Sequence, residues 1–160
     1  MKVSRSSSRA LVVYAVILGS IYLIIGVAEF TAGLWYLFQP ENATAILNLP
    51  VDLFGGFSAL VIGAAYLGGA FLWKGKIESL GFLLIATILS IAFGLLYFLI
   101  VCADGFSTLI ATWESEEWTW EWLTSGTAGP GILRPEIWLT LISLPLGYSV
   151  IKTTRREKVQ

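Results

Sequence analysis

Apolar residues dominate four stretches of the chain, about 10–38, 54–73, 77–101 and 134–151, each of a length that suits a membrane-spanning helix. Between them lie short polar segments with proline, glycine, acids or lysine. The pattern predicts an all-α integral membrane protein, a single membrane domain over 1–160 built as a bundle of four transmembrane helices. Residues 102–132 form a polar outer segment, rich in acids and tryptophan.

The first run, LVVYAVILGSIYLIIGVAEFTAGLWYLF from Leu11 to Phe38, is the longest, and it holds Glu29, the only carboxylate more than two residues from either end of such a run. Gly19, Gly26 and Gly33 recur every seven residues, and Tyr22, Glu29 and Tyr36 recur three positions later. Steps of three and four keep all six on one helical face. The opposite face is Ile, Leu, Val and Ala, suited to lipid. Lys2, Arg5 and Arg9 precede the run, as basic residues precede a signal peptide. The run is longer than the roughly 7–15-residue apolar core of such a peptide, so it reads as a retained anchor. From Arg9 to Pro40 a helix would rise roughly 46 Å against a hydrocarbon core of about 30 Å, so this helix is expected to tilt or project.

Residues 39–50 form a loop between Pro40 and Pro50, where Asn42-Ala43-Thr44 fits the common N-glycosylation triplet. Trp73-Lys74-Gly75-Lys76 is a tight turn, which makes the second and third spans antiparallel neighbours. Pro135 suits a first helical turn, Glu136 complements the helix dipole, and Pro145 predicts a kink in the last span. LIIGVAEFTAGLWY (Leu23–Tyr36) aligns without gaps on LVIGAAYLGGAFLW (Leu60–Trp73). That alignment reads either as an inverted repeat or as convergence of two glycine-rich spans.

Charge sets the expected orientation. Lys2, Arg5, Arg9, Lys74, Lys76, Lys152, Arg155, Arg156 and Lys158 fall on one side of the membrane, and only Arg134 on the other. The positive-inside rule then places both termini in the cytoplasm of a multi-pass cell-membrane protein.

Composition agrees with the hydropathy pattern and removes chemistry. The chain is 56% hydrophobic and 13% charged, with mean hydropathy +0.78, well beyond a soluble domain. It has no histidine and one cysteine, Cys102. Histidine-ligated haem, His/Cys zinc sites, Ser-His-Asp triads and intrachain disulfides are therefore excluded. No cofactor and no metal is expected, and no nucleic acid is an expected partner. The expected partners are the lipid bilayer and other membrane protein subunits, or a second copy of the chain.

Small residues recur on the other spans too: Gly56, Gly63 and Ala70; Thr87, Ser90, Gly94 and Tyr97; Thr140, Ser143 and Gly147. In lipid such stripes bring backbones together, and they serve either bundle packing or docking of another protein. Glu29 is the leading single residue, because an ionisable group in a span is costly. It lies about 9 Å below the aromatic belt of Trp35 and Tyr36, in the outer half of the bilayer rather than at its middle. It is either a structural carboxyl, with Arg134 as a candidate ion-pair partner, or an ion-handling group. Ala28-Glu29 in a first span resembles the small multidrug resistance transporters, four-helix proteins with one essential membrane carboxylate. This chain is longer and lacks that family's later Tyr- and Trp-bearing span motif. The first span also resembles that of DoxX-type four-helix proteins.

In the outer segment, Phe106, Leu109, Ile110 and Trp113 have the spacing of a short amphipathic helix, and Trp118, Trp120 and Trp122 follow among acids. Trp113, Trp118, Trp120 and Trp122 read as an interfacial lid or a docking surface. The nearby glutamates match no calcium-loop spacing. Three functions fit these residues: a non-catalytic membrane subunit, a small ion- or proton-coupled transporter or channel using Glu29 as a homo-oligomer, and a membrane enzyme relying on carboxylates, tyrosine or Cys102, or on a bound cofactor. The subunit is the first expectation, and catalysis the last.

Single cysteines placed at Val3, Gly75, Ser115 and Lys158 test the orientation. The Ser115 site should react with an impermeant thiol reagent from outside the cell, and the other three only after the membrane is opened.

Overall fold

The computed structural model describes residues 5–38, 51–74, 78–113, 117–127 and 129–158. The 39–50 loop with its Asn42 triplet, the Gly75-Lys76 part of the tight turn, and Glu114 and Glu116 lie outside the described residues. Four helices account for most of the rest: α1 (Arg5–Phe38), α2 (Leu53–Gly68), α3 (Ser79–Trp113) and α4 (Pro135–Lys158). Among the described residues the only β pairing is an isolated bridge between Gly126 and Gly129.

Three stretches are long and apolar enough to cross a membrane: Arg9–Phe38, Leu53–Lys74 and Ser79–Trp113. The 24-residue α4 is less apolar, because it carries Glu136, an internal Pro145 and a basic end. It joins the bundle by packing on α3, where Gly94 meets Thr140 and Gly147 meets Thr87. The chain is thus an all-α integral membrane bundle.

Two element boundaries differ from the sequence reading. The second span ends as a 3-10 turn over Gly69–Lys74, where Gly69 abuts the Leu83 side chain. The third span does not stop at Val101. It continues unbroken to Trp113, so Phe106, Leu109, Ile110 and Trp113 lie on its last turns rather than on a separate helix. Nothing between Val101 and Trp113 breaks a helix, since no proline occurs there. The Thr108 and Thr112 hydroxyls donate to the carbonyls of Asp104 and Thr108, four residues back, at 3.0 and 2.9 Å. At 35 residues α3 rises about 52 Å, so it extends well beyond the hydrocarbon core.

α1 and α2 run antiparallel along a glycine seam. Gly19 faces Gly63 and Tyr66, Gly26 faces Gly56 and Leu60, and Gly33 faces Leu53. A Cβ on Gly26 would sit 2.7 Å from the Leu60 nitrogen and 2.9 Å from the Gly56 carbonyl oxygen, so only glycine admits this backbone approach. In lipid, burial of apolar surface does not drive helices together; close backbone contact and interhelical hydrogen bonds do.

The hydroxyls supply those bonds. Tyr22 Oη and Ser90 Oγ are 2.6 Å apart, linking α1 to α3. Ser90 Oγ lies 3.2 Å from both Thr140 Oγ1 and Ser143 Oγ on α4, and the Thr140 hydroxyl donates to the Ser90 carbonyl at 2.6 Å. Tyr66 donates to Thr87 across α2 and α3 at 3.3 Å, and its ring stacks on Tyr22 at 5.9 Å between centroids. The Tyr14 hydroxyl donates to the Ile142 carbonyl at 2.6 Å, in the turn that Pro145 disturbs.

Gly26→Ala should cost roughly 1–3 kcal/mol by overpacking against backbone that cannot give way. At Gly81 an added Cβ meets nothing within 4 Å. Gly81→Ala should therefore be neutral, or stabilising by up to about 1 kcal/mol. Unfolding of the two variants in detergent, followed by circular dichroism, checks the contrast.

Candidate functional site: the charged cluster at one end of the bundle

Alternation of four antiparallel helices puts the start of α1, the end of α2 and the end of α4 together. Arg9 lies over the Trp73 ring at 5.8 Å, which fixes the first two of these as neighbours. The other end of the bundle collects Glu29, Asp52, Tyr97, Arg134 and Glu136.

Asp52 is the N-cap of α2. Its Oδ1 accepts the Gly55 N–H at 2.8 Å, satisfying a donor that a helix start leaves open. Its Oδ2 accepts the Tyr97 hydroxyl at 2.7 Å and Arg134 Nη2 at 2.6 Å. Arg134 immediately precedes α4. Its Nε donates to Glu136 Oε2 at 3.1 Å, and its guanidinium lies 3.6 Å from the centroid of the Tyr97 ring. One cation therefore meets two carboxylates and an aromatic face from three helices. Burial works to raise the Asp52 acid. The Gly55 N–H, the Tyr97 hydroxyl and Arg134 outweigh it and hold Asp52 below the usual carboxylate range.

Glu29 enters this cluster from α1. It is 0% exposed, and neither carboxyl oxygen has a hydrogen-bond partner. Glu136 lies against it, and Glu136 Oε1 is also buried without a partner. Arg134, the expected ion-pair partner of Glu29, makes its described ion pairs with Asp52 and Glu136 instead. Asp52 and Glu136 sit at the starts of α2 and α4, next to Arg134, whereas Glu29 lies more than two turns inside α1.

The glycine–tyrosine stripe is brought together only in part. Gly19, Tyr22, Gly26, Glu29 and Gly33 are buried, but Tyr36 is 49% exposed, about one turn past Gly33, which faces the first residue of α2, Leu53. In the outer segment, Trp118, Trp120 and Trp122 pack as a trio with centroids 5.3–6.5 Å apart. Trp122 seats its ring on Gly105 of α3. Asp104 pins the segment there, accepting from the Thr127 N–H at 2.8 Å and the Thr127 hydroxyl at 2.6 Å. Trp113 stands exposed at the end of α3.

Sequence reading did not single out Asp52, Tyr97 and Glu136 as one site. The available signals were Asp52 directly before a glycine-rich helix, which is N-cap chemistry, and Glu136 two residues from the only outer cation.

This arrangement can hold helix ends in register and can hold a proton or charge away from water. Among the described residues no group of three or more His, Cys, Asp or Glu side chains is arranged to hold a metal ion. A family model described as the MJ0565 integral membrane domain matches residues 6–153. No curated protein and no solved structure matches the chain.

Arg134→Gln should destabilise by about 3–5 kcal/mol, because it strands two carboxylates. The Asp52 contribution should be fully present above the unfolded-state value of about 4 and be lost as pH falls through the lower folded-state value. Thermal unfolding in detergent between neutral and strongly acidic pH should show that loss in the wild type and a much smaller one in Asp52→Asn.

Proposed function

The chain belongs to the MJ0565 integral membrane domain family, and we propose that it is a non-catalytic membrane subunit that packs within or beside a larger membrane protein complex. One observation carries this reading. The hydroxyls of Tyr22, Tyr66, Thr87, Ser90, Thr140 and Ser143 bond one another or a helix carbonyl inside the bundle, so the polar chemistry of the core holds the fold together. The outward faces are apolar. Between α3 and α4 they form a groove of about 380 Å³, lined by Ile91, Gly94, Leu95, Phe98, Leu141 and Leu144 among others. A groove floored by glycine suits a side chain of a neighbouring transmembrane helix. The tryptophan trio outside suits the headgroup zone or a partner's outer domain. In this reading both termini face the cytoplasm of the cell membrane, with Arg9, Lys74 and Lys152 on that side.

A second reading is favoured by one feature alone, the buried and unpartnered carboxyl of Glu29. In that reading the chain is a small proton- or ion-coupled transporter, acting as a homo-oligomer because a single four-helix unit leaves little room for a pathway.

Purification from native membranes in mild detergent, with native mass spectrometry, separates the two. The subunit reading expects a stoichiometric partner of different mass, and the transporter expects copies of this chain only. In proteoliposomes the subunit alone should carry no proton flux. Flux in the wild type that Glu29→Gln abolishes would overturn the subunit reading.

A further inference from the structure

The cluster holds three carboxyls and one described cation. Arg134 serves Asp52 and Glu136, and each of those carboxylates has at least one oxygen in a charge-assisted bond. Glu29 has none. Among the described residues, the buried side-chain atoms without a hydrogen-bond partner are Glu29 Oε1, Glu29 Oε2, Glu136 Oε1 and the Trp122 indole nitrogen. Buried carboxylate oxygens without a donor are costly when ionised, because carboxylates only accept. A single added hydrogen removes most of that cost.

We propose that Glu29 and Glu136 hold one proton between them, so that the Glu29 carboxyl donates to Glu136 Oε1 and completes a chain of bonds across all four helices. The chain runs from Glu29 on α1 to Glu136 on α4, through Arg134 to Asp52 at the start of α2, and on to the Tyr97 hydroxyl of α3. These are also the charged and titratable groups that bear on Glu29. Asp52 comes from α2 and Glu136 with Arg134 from the start of α4, while Tyr97 of α3 touches Asp52 and Arg134, and Tyr22 lies two turns away on α1 itself. Two carboxyls in contact cannot both ionise without repulsion, and one shared proton converts that repulsion into a short hydrogen bond. The occupant is a proton rather than a metal cation, because among the described residues no group of three or more His, Cys, Asp or Glu side chains is arranged to hold one. This inference does not depend on transport. A proton that never leaves is a structural bond, and one that exchanges is a cargo.

Infrared difference spectroscopy on the full chain in lipid nanodiscs, with 13C-carboxyl-labelled glutamate, reads the proton directly. At neutral pH the wild type should show one protonated-carboxyl C=O stretch that shifts with the label. Glu29→Gln should lose it and keep its helical content, because the amide donates to Glu136 in the proton's place. Glu136→Gln should change the band, moving it to higher frequency because an amide oxygen accepts more weakly than a carboxylate, or removing it because the neighbouring negative charge is gone. Sodium or potassium at constant pH should leave the wild-type band unchanged. The proposal is overturned by no such band in the wild type, by a band that survives in Glu29→Gln, or by a band that sodium abolishes. If Glu29→Gln does not fold, an unmoved band in Glu136→Gln overturns it equally.

Discussion

The Arg134 guanidinium closes one end of the bundle. It bonds the N-cap of α2 and the first turn of α4 and lies on a ring of α3, so three helices share one side chain. A planar fork with several fixed donors can do this, and a lysine ammonium could not cover the same directions with the same geometry. The site lies at the ends of helices, where Asp52 keeps a side-chain exposure of 24% while Arg134 keeps 3%. A charge cluster is less costly at helix ends than in the middle of a span. It also explains why Asp52 serves both as a helix cap and as an ion-pair partner. A carboxylate already fixed by the Gly55 N–H loses little further freedom on meeting Arg134.

Below that end the bundle is held by contacts of another kind. α1 and α2 approach through glycines, backbone against backbone, and α3 and α4 through Gly94 and Gly147 against threonines. Hydroxyls then bridge the two pairs, with Ser90 at the centre. The division follows from the solvent. Lipid offers apolar surface everywhere, so leucine and isoleucine do not choose partners, and the residues that do are small or hydroxylated.

Much of this was readable along the chain because the membrane imposes one length and one period on every span. The seven-residue recurrence of Gly19, Gly26 and Gly33 marked the buried face of α1, and the Thr87, Ser90, Gly94 and Tyr97 face of α3 is buried as its spacing implied. The end of α3 was not readable. Asp104 and Gly105 look like a loop, but Gly105 is the seat for the Trp122 ring and Asp104 the clamp for Thr127, both tertiary reasons that no local pattern carries. The charged site was half legible. Glu29 and Arg134 stood out by rarity, whereas the assignment of Arg134 to Asp52 and Glu136 depends on which helix ends meet. Tyr36 kept the period of its stripe but stands 49% exposed, so periodicity alone overstated the buried face.

The glycine seam carries one more consequence. In the gapless alignment of the first two spans, Gly19 corresponds to Gly56 and Gly26 to Gly63, while in space Gly19 faces Gly63 and Gly26 faces Gly56. Those crossed contacts interchange under a half-turn about an axis lying in the plane of the membrane. Along this seam the hairpin of α1 and α2 therefore looks nearly the same from either surface of the bilayer. A unit of that kind carries little information in its own packing about which way up it belongs. Its direction of insertion must be decided by what breaks the symmetry, namely the lysines and arginines gathered at one end and the single arginine with its carboxylates at the other.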